Sequence, residues 1–303
     1  MEKKLKLILI YINFCIQVII KFRHSDNIKV CVCTLGKNEN KYIREFIQHY
    51  KNYGVDKIFL YDNNDIGGEY FQDVISDYIK DNFIQIINFR GKKKIQLLTI
   101  KDCHQKNVMV FDWFILIDLD EYIYLQNYNN IKDYLKKKKF RYCQVIHLIQ
   151  IFYTDNDLLY YDNRTLRERF PIKEEKVKRK KTGDSFPIKS LVKGKIPKLF
   201  IQSIHFGNKR YNICNGFGNK VNFTGCSTNS TDFEYYYFIH YFSKSTEEFI
   251  NKIKRGDAIY GFKILGNIKK YFKINKITIE KINMFEKKLK VNLSKYRDKL
   301  KNI

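Results

Sequence analysis

Asp118, Asp120 and Glu121 are the residues of this chain best placed to do chemistry. They follow Trp113–Ile117, an unbroken apolar run that reads as a strand buried on both faces. Alternation along a strand puts Asp118 and Asp120 on one side. Two carboxylates at the end of a buried strand repel each other unless a cation neutralises them. The carboxyl end of a strand in an open α/β sheet is also where ligands bind. The pattern fits a divalent-metal site with oxygen ligands. The competing reading is a strand that runs into a solvated acidic turn.

The elements that must position these acids alternate along the first half of the chain. Strands are expected over Ile28–Thr34, Lys57–Tyr61 and Phe83–Phe89. Helices are expected over Lys41–Tyr53, with apolar residues at helical spacing, Tyr70–Asp81 and Ile95–Asn107. Gly54 suits the residue that ends the first helix. Such alternation with short links implies a mostly parallel, Rossmann-like sheet flanked by helices. Neither a dinucleotide-binding glycine fingerprint nor a P-loop is present. Later segments read as a smaller mixed section: a short helix over Ile131–Lys139, then strands over Tyr142–Phe152, Ser190–Val192, Leu199–Phe206 and Val221–Phe223. An aromatic run follows at Phe233–Phe242, then a helix over Thr246–Lys254 capped by Ser245 or Thr246. The chain divides into a hydrophobic segment (1–25), an α/β domain (26–262) and a basic amphipathic helical tail (263–303).

Lys and Arg number 57 against 32 acids, a net charge of +25, yet the lysines come in bursts such as Lys92–Lys94 and Lys136–Lys139. Bursts of this kind are solvated loops, so no nucleic-acid partner is expected. Residues 5–22, basic at both flanks, resemble a signal-anchor, which predicts a membrane-associated protein with an otherwise cytoplasmic domain. The seven cysteines include no C-x-x-C pair, against a zinc ribbon. Cys31 and Cys33 read as core residues, and Cys214 and Cys226 as a bridge in an oxidising compartment. Sequons begin at Asn163, Asn222, Asn229 and Asn292, matches that an Asn-rich chain also produces by chance.

Several stretches together resemble glycosyltransferase family 92 and its family-2-like relatives. They are Val30–Glu39 with its Lys37-Asn38-Glu39 loop, Ile43–Tyr50, Gly54–Asn63 with its Tyr61-Asp62-Asn63 loop, and Trp113–Tyr122. Later pieces are Lys189-Ser190, Ile204-His205 and His240–Gly256. The resemblance spans roughly Ile28 to Gly256. It implies a GT-A fold, a manganese or magnesium ion, a UDP-sugar donor and inversion at the anomeric carbon. Galactose is the favoured hexose, and the acceptor is a glycan or glycoconjugate. Asp118 and Asp120 match the metal-binding D-x-D motif, with His205 or His240 as a further ligand. Glu39, Asp62, Asn63 and Asp118 match positions near the nucleotide sugar, and Lys101 and Arg255 are candidates to face phosphate. An inverting enzyme needs a general base for the acceptor hydroxyl; Asp232 and Asp155 rank above Glu168. Tyr153, Tyr160 and Tyr161 are candidates to stack on sugar. Two other classes remain: a basic module that binds nucleic acid or membrane without catalysis, and a metal-dependent nucleotidyl or phosphoryl transferase.

Overall fold

The apolar runs of the first half form the expected parallel strands. In the computed structural model, the described residues are 28–175, 186–196, 211–221, 227–228, 234–256 and 264–301. Strands β1 (Val30–Gly36), β2 (Lys57–Asp62), β3 (Ile84–Asn88) and β4 (Trp113–Leu116) alternate with helices α1 (Asn40–Asn52), α2 (Gln72–Lys80) and α3 (Gln96–Asn107). Helix α1 buries Tyr42, Ile43, Phe46, Ile47 and Tyr50, and the chain leaves it through Gly54 at φ +77°. Then come β5 (Glu121–Leu125), α4 (Ile131–Leu135), β6 (Val145–Phe152), α5 (Leu166–Arg169), β7 (Phe186–Lys193), β8 (Ile213–Cys214), β9 (Ser227–Thr228) and β10 (Tyr236–His240). Four helices close the chain: α6 (Thr246–Arg255), α7 (Ile264–Ile274), α8 (Ile279–Leu289) and α9 (Ser294–Lys301). The helix expected over Ile131–Lys139 is broken, with α4 ending at Leu135 and a 3-10 turn at Lys138–Phe140. Leu199–Phe206 and residues 5–22 lie outside the described residues, as does most of Val221–Phe223. Among the described residues no helix is long and apolar enough to cross a membrane.

One sheet holds the strands in the order β3-β2-β1-β4-β7-β6-β10-β5, with β8 on β6 and β9 on β7. The block β3-β2-β1-β4 is parallel, and β7 then runs antiparallel to both β4 and β6. The mixed section therefore continues the parallel half without a break. Strand β5 was not expected. Its pairing partner is β10, far along the chain, so tertiary pairing and not local propensity makes it a strand.

Alternation sorts the core into two faces. Val30 and Val32 of β1 pack with α1 and α2, and Cys31 and Cys33 face α3. Cys33 is bonded to Cys103 of α3, and Cys214 to Cys143. The second bond corrects the Cys214–Cys226 expectation: β8 pairs with β6 at Ile146↔Cys214, which brings Cys214 beside Cys143, and Cys226 lies outside the described residues. Cys31 is buried and free.

A third apolar cluster joins the C-terminal helices to Phe152 and Phe242. At its side Lys281, fully buried, lies 2.8 Å from Asp155 and 2.7 Å from Asp157. Tyr271 also donates to Asp155, and the Asp155 amide donates to Asn275 Oδ1 at 2.7 Å. Removing one member of a buried ion pair strands the other charge without solvent. Lys281→Ala and Asp155→Ala are each expected to lower unfolding stability by about 3–5 kcal/mol. Urea unfolding followed by circular dichroism tests this. The Asp155→Ala/Lys281→Met double variant should lose clearly less than the sum of the two single losses.

Candidate active site

Strand β4 stops at Leu116, and the chain turns before β5 begins. A hydrogen bond from Glu121 N to Asp118 O closes the turn at 3.2 Å. Asp118 and Asp120 thus stand on a turn, not on the strand that was expected to carry them. Period-two alternation holds only while the backbone stays extended. Gly36, at the end of β1, allows the turn to pack closely: a Cβ there would meet Leu119 Cδ1 at 2.6 Å and Phe71 Cζ at 2.7 Å.

Glu121 shares Lys189 with Asp118 and His240 with Asp120. Asp118 lies 2.7 Å from Lys189 Nζ and accepts from Gln96 Nε2 at 2.9 Å. Asp120 lies 2.7 Å from Lys252 Nζ and 3.5 Å from His240 Nε2. Glu121 accepts from Gln150 Nε2 and lies 3.0 Å from Lys189 Nζ and 3.7 Å from His240 Nδ1. Register explains the gathering. Glu121 pairs with His240 between β5 and β10, His240 with Phe152 between β10 and β6, and Leu148 with Lys189 between β6 and β7. Helix α1 fixes the edge strand from behind: Tyr50 Oη donates to Glu121 O at 3.0 Å and accepts from Ile123 N at 3.1 Å.

Burial and charge act on these groups in opposite directions. Burial alone would raise Asp118 and Asp120; Lys189 holds the first below its ordinary range, and Lys252 with His240 holds the second well below. Glu121 is pushed up to about 8 by burial and by the two aspartates, despite Lys189. His240 is lowered to about 4, burial outweighing the pull of Asp120, so its ring is neutral near pH 7. Lys189 is raised in spite of burial, because it faces Asp118 and Glu121.

The remaining expected residues divide clearly. Glu39 joins this region: its carboxylate lies 2.8 Å from Lys244 and 2.7 Å from Arg255, and makes no cap to α1. Arg255 also donates to Lys37 O at 2.5 Å. Asp62 and Asn63 serve neighbouring loops: Asp62 pairs with Arg90 at 2.8 Å, and Asn63 donates to Phe89 O and Lys92 O. Lys101 is exposed on α3. Asp155 faces Lys281 and Tyr271, away from the turn. Tyr153 meets Tyr237, Tyr160 is exposed, and Glu168 caps α5 together with Thr165. His205 and Asp232 lie outside the described residues. Sequence reading gave no role to Lys189, Lys252 or Gln150. A lysine inside the apolar run of β7 was the available signal, because a buried ammonium requires carboxylates.

The cluster can hold a metal. Asp120, Glu121 and His240 each offer a ligand atom, and these lie within 4.8 Å of one another. Two carboxylates and a neutral imidazole suit manganese or a similar divalent ion. His240 Nδ1 is buried without a hydrogen-bond partner, as an uncommitted ligand atom would be. Asp118 is not part of this group. Beside the cluster a small cavity of about 10 Å³ lies at the ends of β1 and β4, lined by Thr34, Tyr61, Gln96, Asp118 and Lys189. Successive strands depart in opposite directions from β1 there, which is the usual ligand crevice of an open sheet. Thr34 Oγ1 and Gln96 Oε1, both buried, have no partner there.

The model of glycosyltransferase family 92 matches residues 26–292. The chain belongs to glycosyltransferase family 92. The match runs past residue 262, the boundary drawn from sequence, through α7 and α8. A family 92 protein of Ricinus communis is 26% identical over 110 residues, 36% of this chain and 20% of that protein. Another, of Oryza sativa subsp. japonica, is 25% identical over 107 residues, 35% of this chain and 18% of that protein. The matched stretches thus span about a fifth of these longer relatives. A crystal structure of S. aureus TarS residues 1–349 aligns over 88% of this chain and 76% of its own, at 10% identity and a TM-score of 0.36. A likeness at that level adds nothing to the assignment.

Manganese binding in this family 92 chain, followed by electron paramagnetic resonance, is expected to weaken by at least about tenfold in Asp120→Asn and His240→Ala. Asp118→Asn should change it little, because its carboxylate lies outside the group formed by Asp120, Glu121 and His240. Equal losses in all three variants would put Asp118 among the ligands.

Proposed function

We propose that this chain is a glycosyltransferase that moves a hexose, with galactose favoured, from a UDP-sugar to a glycan hydroxyl with inversion. The observation that carries the reading is the family 92 match over a chain whose turn residues Asp120 and Glu121 converge with His240 beside the sheet crevice. In the reaction a bond forms between the acceptor oxygen and the anomeric carbon. The bond from that carbon to the donor phosphate breaks, its electron pair stays on the nucleoside diphosphate, and the hydroxyl proton passes to a base.

The residues divide this work. Asp120, Glu121 and His240 would hold manganese or magnesium, which supplies positive charge to the departing diphosphate. Asp118, fixed by Lys189 and Gln96, lines the small cavity at the ends of β1 and β4, beside the unpaired polar atoms of Thr34 and Gln96. Glu39 holds Lys244 and Arg255 by ion pairs. Of the two carboxylates ranked highest as general base, Asp155 is committed to Lys281 and Tyr271, so Asp232 is the one retained.

The test is a screen of UDP-sugars with manganese, reading sugar release to water or to oligosaccharide acceptors. Turnover of at least one donor is expected, with Asp120→Ala slower by about 100-fold or more. Absence of turnover with every donor, together with no manganese-dependent UDP binding, would sink the assignment.

A further inference from the structure

Two lysines from the C-terminal helices meet on one aromatic ring at the edge of the metal cluster. Lys252 of α6 sits with its ammonium 4.7 Å from the Phe242 ring centroid, and Lys270 of α7 sits 4.0 Å from the same centroid. Lys270 also lies 5.0 Å from the Phe152 ring, and Phe152 and Phe242 flank His240, which they contact through their rings. Lys252 has an anionic partner, Asp120. Lys270 has none within ion-pairing distance among the described residues. Its ammonium rests on two rings although the residue as a whole is exposed, and desolvation there together with the charge of Lys252 lowers it to about 8 against the pull of Asp120, Glu121 and Glu174. An ammonium held against a neighbouring cation, next to a carboxylate cluster already supplied with lysines, is matched by an incoming polyanion and not by a neutral sugar.

We propose that Lys270 is a phosphate-binding residue of this site, and that with Lys252 it receives the terminal phosphate of the donor and the diphosphate that leaves. Phe152 and Phe242 hold the ammonium at that position by cation–π attraction, so little side-chain entropy is lost when the phosphate arrives. The helical tail therefore contributes to the reaction centre. The proposal rests on the glycosyltransferase reading only for the origin of the diphosphate.

Binding of inorganic pyrophosphate, measured by calorimetry on the full chain with a metal chelator present, tests it without any donor or turnover. Lys270→Met keeps the apolar stem on the rings and removes the charge, and it is expected to weaken binding by about tenfold. Lys270→Arg should stay within about threefold of wild type, since it keeps the cation. Lys269→Met, which removes a charge from the neighbouring residue of the same helix that lies on neither ring, should leave binding unchanged. Failure of the wild-type chain to bind pyrophosphate would overturn the proposal. So would Lys270→Met binding as the wild type does, or Lys269→Met losing as much as Lys270→Met. Pyrophosphate binding that follows this pattern in a chain that turns over no sugar donor would defeat the glycosyltransferase reading and leave the phosphate site standing.

Discussion

The link between β4 and β5 is very short, and it governs the shape of the sheet. In strand order β4 and β5 are separated by β7, β6 and β10. In a flat sheet that separation is four strand spacings, about 19 Å. The steps from Leu116 to Glu121, fully extended, reach at most about 18 Å, and this link is folded into a turn. The sheet must therefore curl until its last strand lies close to its fourth. Curling places the turn acids against residues of the intervening strands: Lys189 of β7, Gln150 of β6 and His240 of β10. The acidic cluster and the curvature are one feature seen at two scales.

Lys189 shows what the curl requires energetically. Its ammonium is buried and lies between Asp118 and Glu121, so neither carboxylate is left without a cation in a dry interior. Removing the lysine would leave Asp118 a buried charge without its cation, a larger penalty than losing a surface pair. The same logic holds at Glu39, where Lys244 and Arg255 share one carboxylate and join the end of β1 to α6. Buried charge pairs are costly to assemble, and their benefit here is positional. They fix where α6 and β7 stand relative to the turn.

How much of this the sequence revealed follows from the range of the interactions. Strands β1 to β4 and helices α1 to α3 were legible because local periodicity sets them and neighbouring elements satisfy them. Asp120 and His240 stood out by residue type. Asp118 was misread geometrically, since nothing local shows that the strand ends at Leu116. Strand β5 was missed because its hydrogen bonds come from β10. The active-site lysines were hidden by composition: in a chain of charge +25, Lys189, Lys252 and Lys270 look like the solvated majority. Only their partners distinguish them, and the partners lie in distant segments. The partners of Asp155 were hidden for a related reason. Its position after β6 suggested an acceptor-facing acid, whereas Lys281 and Tyr271 come from helices that the sequence separated from the domain.

The charges at the site also constrain what it can bind. Asp118, Asp120, Glu121 and Glu39 face Lys189, Lys252, Lys244 and Arg255, so acids and permanent cations are matched in number before any ligand arrives. Glu121, with its affinity for protons raised to about 8, holds a proton near neutral pH, and Lys270 stands beside the group, which shifts the resting balance toward positive. A divalent ion entering between Asp120, Glu121 and His240 would release the Glu121 proton and compete with Lys252 for Asp120. The displaced ammonium would then need a new anion in a site with little water. A diphosphate supplies that charge, and a neutral sugar does not. Metal and donor phosphate are therefore expected to bind cooperatively, each lowering the electrostatic cost of the other, because they are the two halves of one charge balance.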